Sequence, residues 1–211
     1  MRPERAGPIA GVILAAGVSS RMGRNKLFLA ISGETLLRRC VKLAGAARLD
    51  PVLVVLGHEA ERAAAEVGDL PCLTVLNAAY ENGQGSSLRA GIGAVPRDRD
   101  AAVVLLADMP LVTRTMIEAL VERYRATDVP LVISEYGGVH APPTLYTRAL
   151  FGEIASLPGA ACGKQVVRRH RPEASAVGWP AETLVDLDVP EDLERVQAAL
   201  AAGERPCAAT S

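Results

Sequence analysis

The chain alternates short apolar runs with longer stretches of helical periodicity. Residues 9–14 (IAGVIL) form a continuous apolar run of strand length. Residues 34–47 (ETLLRRCVKLAGAA) then repeat apolar positions at helical spacing, and 51–56 (PVLVVL) is a β-branched run too short for a helix, ended by Gly57. The alternation continues with a helix over roughly 58–66, a strand at 72–76 and a helix starting near Ser86. Residues 103–107 (VVLLA) make the most apolar strand, and Thr113 suits the N-cap of a helix running to about Arg125. Such alternation predicts an α/β fold, a Rossmann-like doubly wound, mostly parallel sheet flanked by helices.

From Leu131 the rhythm changes. Gly137-Gly138 and Pro142-Pro143 predict a hairpin or irregular segment inserted into the sheet. Short helices at 147–156 and 163–170, a late strand around 183–186 and a closing helix that begins at Pro190 are expected to follow. One domain over residues 1–203 results, with halves at 8–130 and 131–203, and residues 204–211 are expected to form a disordered tail.

Composition narrows this picture. Of the 211 residues 49% are apolar but only 3% aromatic, so the core is aliphatic, as suits buried parallel strands. A net charge of −1 gives no broad basic face for nucleic acid or an anionic membrane. Cys40, Cys72, Cys162 and Cys207 are far apart, which argues against a disulfide framework or zinc site. Arg2 and Arg5 before an apolar stretch imitate a signal peptide, but cleavage near Ala16 would remove the first strand, so a cytoplasmic protein is expected.

The basic character is local. No acidic residue occurs between Arg5 and Gly33, while Arg21, Arg24 and Lys26 follow the first strand. Leu14-Ala15-Ala16-Gly17 lets a ligand approach the backbone, whose amides can face phosphate oxygens while Lys26 and Arg21 neutralise charge moving onto a leaving pyrophosphate. The alternative is an ordinary loop with solvated cations. Asp108, just past the strand at 103–107, is a hard oxygen ligand suited to Mg²⁺, and it is not needed as a cap because Thr113 fills that place. Asp186 and Asp188 share a face of an extended segment; Asp188 serves either as second metal ligand or as a favourable charge at the helix start. His58 and the lone Trp179 are read as a helix-start residue and a packed residue.

Leu14-Ala15-Ala16-Gly17-x-Ser19-x-Arg21-Met22-Gly23-x-x-Lys26 resembles the signature loop of the MobA-like nucleotidyltransferases, especially the molybdenum cofactor cytidylyltransferases. The likeness extends to Asn77, to Gly83-x-x-x-Ser87-Leu88-Arg89, to Asp108-Met109-Pro110 and to the segment from Asp186 to Asp192. It implies triphosphate binding by the loop and Lys26, metal at Asp108 and Asp188, and base and ribose contacts from Asn77, Gly85 and Ser86. The residue-level alternative for this last group is an ordinary turn with a helix cap. Ala16, where guanylyl members tend to carry glycine, implies CTP.

The resemblance implies transfer of CMP to the phosphate of molybdopterin, with a molybdoenzyme or its chaperone as transient partner. A phosphate nucleophile needs no general base, which fits the absence of a His or Cys catalytic constellation. The chain departs from the family pattern at Ala141-Pro142-Pro143, where Gly-His-Pro is typical, and at Gly159-Ala160-Ala161-Cys162-Gly163, where Gly-Asp-x-Gly-Ala is typical. Pro143, Tyr146 and Cys162 are thus candidate acceptor contacts, with a buried thiol the alternative for Cys162. Cytidylyl or uridylyl transfer to another phosphorylated metabolite, and a non-catalytic nucleotide sensor, remain open.

Overall fold

A computed structural model describes residues 7–18, 25–160, 162–185, 192 and 196. Strand β1 (Ile9–Ala15) leads to a small ladder of β2 (Ala30–Ile31) and β3 (Glu34–Thr35), then to helix α1 (Leu36–Ala46). Next come β4 (Val52–Leu56), α2 (Ala60–Glu66), β5 (Leu73–Leu76), α3 (Gln84–Gly93), β6 (Ala101–Leu106) and α4 (Arg114–Ala126). A hairpin of β7 (Leu131–Tyr136) and β8 (Val139–Thr147) follows, then α5 (Phe151–Ser156), α6 (Cys162–His170) and β9 (Ser175–Trp179).

The main sheet has seven strands in the order β5-β4-β1-β6-β8-β7-β9. Parallel pairing joins β5, β4, β1 and β6, and β7 to β9; β8 is antiparallel to both its neighbours, β6 and β7. Sequence periodicity explains the layering. On β1, Ile9 and Ile13 enter the core under α1 and α4, while Ala10 and Val12 enter the one under α3, α5 and α6. Strands buried on both faces read as continuous apolar runs, and β4 is buried along its whole length.

Local signals act as expected at several ends. Thr113 Oγ1 accepts from the Met116 amide at 3.3 Å and starts α4. The Gly137-Gly138 turn takes positive φ values of 55° and 90°, which glycine tolerates without strain, and it closes the β7–β8 hairpin. Tertiary pairing overrides the sequence pattern elsewhere. Glu34 and Thr35, expected to be helical, pair with Ile31 and Ala30, and Thr35 becomes the cap of α1. Among the described residues the last strand of the sheet is Ser175–Trp179 and Ala181–Thr183 is a 3₁₀ turn, so the described part of the strand expected around 183–186 is not strand, and residue 186 lies outside the described residues. Ser175–Trp179 has weak apolar alternation and is fixed by its parallel ladder with β7. Trp179 is buried in the core. The expected tail at 204–211 lies outside the described residues. Among the described residues no helix is long and apolar enough to cross a membrane.

Candidate active site

The carboxyl ends of the parallel strands converge on one edge, where ligands bind in open sheets of this class. There Leu14, Ala15, Ala16, Gly17 and Val18 form one wall of a cavity of about 290 Å³. Lys26, Leu27, Leu106 and Asp108 line it as well, and Tyr80, Glu81, Gly83, Gln84 and Ser87 come from the α3 side. Lys26 is placed by a 3₁₀ turn whose Asn25 side chain accepts from the Leu27 amide at 3.1 Å, with Leu27 buried beneath as its anchor. Across from it Asp108 leaves the end of β6, and Lys26 Nζ lies 2.5 Å from Asp108 Oδ2. The negative charge of Asp108 also reaches Cys40, whose thiol pKa is pushed up to about 12, chiefly by burial. Arg21 and Asp188 lie outside the described residues.

The turn before α3 is tied together by its own hydrogen bonds. Asn77 is buried; its Nδ2 donates to Ser86 Oγ at 2.8 Å and Ser87 Oγ at 3.0 Å, and its Oδ1 accepts from the Ala79 amide. Ser86 Oγ in turn donates to the Gly83 carbonyl. The Gly85 amide donates to the Ala160 carbonyl at 2.8 Å, and a Cβ added at Gly85 would sit 2.2 Å from the Gly159 oxygen. Asn77, Gly85 and Ser86, expected on the base and ribose, therefore hold this turn together and seat the segment at 157–160 on it. Their polar groups are spent internally. The neighbouring Gly83, Gln84 and Ser87 border this cavity, and Gly85 borders a second one beside it. Sequence carries this distinction weakly, because a Gly/Ser stretch serves a cap and a binding loop equally well.

A second, larger cavity of about 950 Å³ adjoins the first, and Leu14, Gln84 and Leu106 border both. Its lining is largely apolar, with Leu88 from α3 and Val104 and Ile133 from the sheet, and His140, Lys164, Arg168 and Arg171 border it as well. Tyr146 lines it, with its hydroxyl pKa raised by burial, so the phenol stays protonated. Pro143 does not line it. That residue is buried in β8 with its carbonyl accepting from Ser134 Oγ, and Pro142 borders the cavity in its place. Cys162 is fully buried, and its Sγ contacts the Gly85 carbonyl at 3.4 Å. The expected acceptor contact at Cys162 is thus corrected to a packing position: it starts α6, whose inward face anchors the helix. The cations of α6 were missed because a charge run ordinarily reads as a solvated face.

The family model for the MobA-like NTP transferase domain matches residues 11–174. The chain belongs to this family. Like its members it is a nucleotidyltransferase, and its fold matches their solved structures. It is 32% identical over 205 residues to purine catabolism protein PucB of Bacillus subtilis, covering 91% of this chain and 97% of that protein. A probable molybdenum cofactor guanylyltransferase of Mycobacterium tuberculosis is 35% identical over 159 residues, 72% of this chain and 75% of that one. The crystal structure of Rv0371c from the same species superposes with a TM-score of 0.82 at 26% identity, over 92% of this chain and 98% of the other. The chain spans about a third of the bifunctional GlmU proteins it also matches.

Proposed function

We propose that this MobA-like nucleotidyltransferase transfers CMP from CTP to the phosphate of molybdopterin, releasing pyrophosphate. The observation that carries the reading is the juxtaposed Lys26 and Asp108 in a cavity that opens onto a second, larger one. Nucleotide in the smaller cavity and acceptor in the larger would meet beside Leu14, Gln84 and Leu106. An anionic acceptor oxygen attacks the α-phosphorus there, a new phosphorus–oxygen bond forms, and the bond to pyrophosphate breaks. No proton need move, because the phosphate nucleophile is already ionised. Alignment and charge supply the catalysis. Lys26 sits where it can stabilise charge growing on the leaving group, and Arg21 shares that role.

The donor set also fits Mg²⁺, which takes carboxylate oxygens together with substrate phosphates and waters, so that one or two carboxylates suffice. Asp108 would hold it, with Asp188 as second ligand; among the described residues no group of three or more His, Cys, Asp or Glu side chains makes an all-protein metal cage. When bound, the metal supplies positive charge against the triphosphate. Ala16 supports CTP through the family resemblance.

The test is pyrophosphate release from purified protein with CTP or GTP, Mg²⁺ and molybdopterin. Release with CTP above GTP, abolished in Lys26→Ala, is the expected result. Preference for GTP overturns the base assignment. Tight CTP binding without turnover on any phosphorylated acceptor points to the sensor instead.

A further inference from the structure

The larger cavity has chemistry that the transferred phosphate alone leaves unused. Lys164, Arg168 and Arg171 fall at helical spacing along one side of α6 and the turn after it, and all three border the cavity with His140. No acidic side chain borders it among the described residues. A carboxylate outside the lining, Glu135 on β7, engages two of these side chains: its Oε2 lies 3.0 Å from His140 Nε2 and 3.4 Å from Arg171 Nη2. Among the described residues Lys164 and Arg168 have no carboxylate within ion-pair distance. Leu88 of α3, Val104 of β6 and Ile133 of β7 give the cavity an apolar wall, and Val167 of α6 adds to it. Among the described residues the uncharged polar side chains at the lining are Gln84, Thr144 and Tyr146.

This polarity discriminates between acceptor classes. A sugar phosphate of the same volume presents hydroxyls all round, and most would meet hydrocarbon without hydrogen-bond partners. A flat or apolar body loses nothing against that wall. We infer that the acceptor is an elongated phosphoester with a flat ring body and a second anionic group, and that Lys164, Arg168 and Arg171 bind this second anion while the phosphate to be nucleotidylated lies beside Gln84. The inference rests on the nucleotidyltransfer reading for the first phosphate, but the α6 anion site stands on its own geometry. Glu135 acts as an internal competitor. It shares Arg171 with the incoming anion, so selectivity for that anion is set against it.

Two probes with the same apolar body separate the parts of this claim. 8-Anilinonaphthalene-1-sulfonate carries one anion, and N-phenyl-1-naphthylamine carries none. Fluorescence titrations are run with CTP and Mg²⁺ present, alongside thermal melts that confirm each variant is folded. An exposed ion pair contributes up to about fivefold in affinity, so the wild-type protein should prefer the sulfonate by about tenfold. Lys164→Ala with Arg168→Ala should bring the probes to about equal affinity while binding of the uncharged one persists. Glu135→Gln should shift the preference the other way, favouring the sulfonate by about another twofold. An unchanged preference in the double variant overturns the inference, as does wild-type protein that binds neither probe or shows no preference. A wild-type preference that collapses in the variant, in protein that releases no pyrophosphate with any phosphorylated acceptor, keeps the anion site and sinks only the nucleotidyltransfer reading.

Discussion

The two cavities share three border residues and a strand edge but are built on different principles. The smaller is assembled where β1 and β6, adjacent parallel strands, end together, so Ala15 and Asp108 come close although 93 positions separate their numbers in the sequence. The larger adds to β1, β6 and α3 the β7–β8 hairpin and α6, which reach it only through tertiary packing. Parallel strands turn a sequence motif into geometry almost automatically, since each strand delivers its successor residues to the same edge. A hairpin with a helix laid across it does so only once the packing is known.

The largest expected effect tests whether chemistry is confined to the strand-end side. Lys26→Ala and Asp108→Asn should each lower turnover by about 10²–10³, measured as pyrophosphate release, because Lys26 supplies positive charge beside the reacting phosphates and Asp108 would hold the metal that supplies the rest. Near-normal turnover in either would erase the functional contrast between the cavities.

Next in size is the seam between them. Gly85→Ala drives a Cβ to within 2.2 Å of the Gly159 oxygen, and rigid backbone cannot yield as a flexible side chain would. Denaturant melts should show about 1–3 kcal/mol of lost stability. Gly93→Ala, at a helical position whose Cβ would meet nothing within 4 Å, should instead gain about 0.5–1 kcal/mol. Equal effects at the two glycines would mean that the segment at 157–160 is not seated on α3 as described.

Cys162→Ala sharpens the acceptor side. It should cost about 1 kcal/mol by leaving a void in the second core cluster, yet leave the acceptor KM unchanged. A raised KM with unchanged stability would restore Cys162 as an acceptor contact.

The smallest effect is electrostatic and lies where α5 meets α6. The Glu153 carboxyl is held below its ordinary pKa chiefly by its hydrogen bond with His170; desolvation opposes this, and the charges of His170 and Arg169 and a hydrogen bond from Arg169 add to the lowering. A lowered folded pKa stabilises above the ordinary glutamate value, and that contribution fades as pH falls through the lowered value. The Tm difference between wild type and Glu153→Gln should therefore be present near neutrality and shrink below about pH 4. A difference independent of pH would assign Glu153 a packing role only.

Much of this was legible in the chain. The first strand, the β4 and β6 runs and the Thr113 cap follow from short-range pattern, and each agrees with the observed element to within a residue or two. Lys26 and Asp108 were legible for the same reason: each follows a strand whose end could be located. Asn77, Gly85 and Ser86 were placed in the right turn, but that their side chains and amides bond within it was not legible, since hydrogen-bond capacity does not name the partner. Pro143 failed by one position because side chains alternate across a strand, so a single residue of register exchanges cavity for core.

The sequence by itself determined the alternation of strands and helices, the aliphatic core and the residues available for triphosphate chemistry, because these depend on periodicity and composition within a dozen residues. Only the tertiary structure decided that Ser175–Trp179 joins the sheet, that Ala160 occupies the Gly85 amide, that Cys162 is buried and that Lys164, Arg168 and Arg171 border a cavity. Each of those depends on which distant surface a segment meets, and the free energy of that meeting is set by packing and desolvation between residues that the linear order keeps apart.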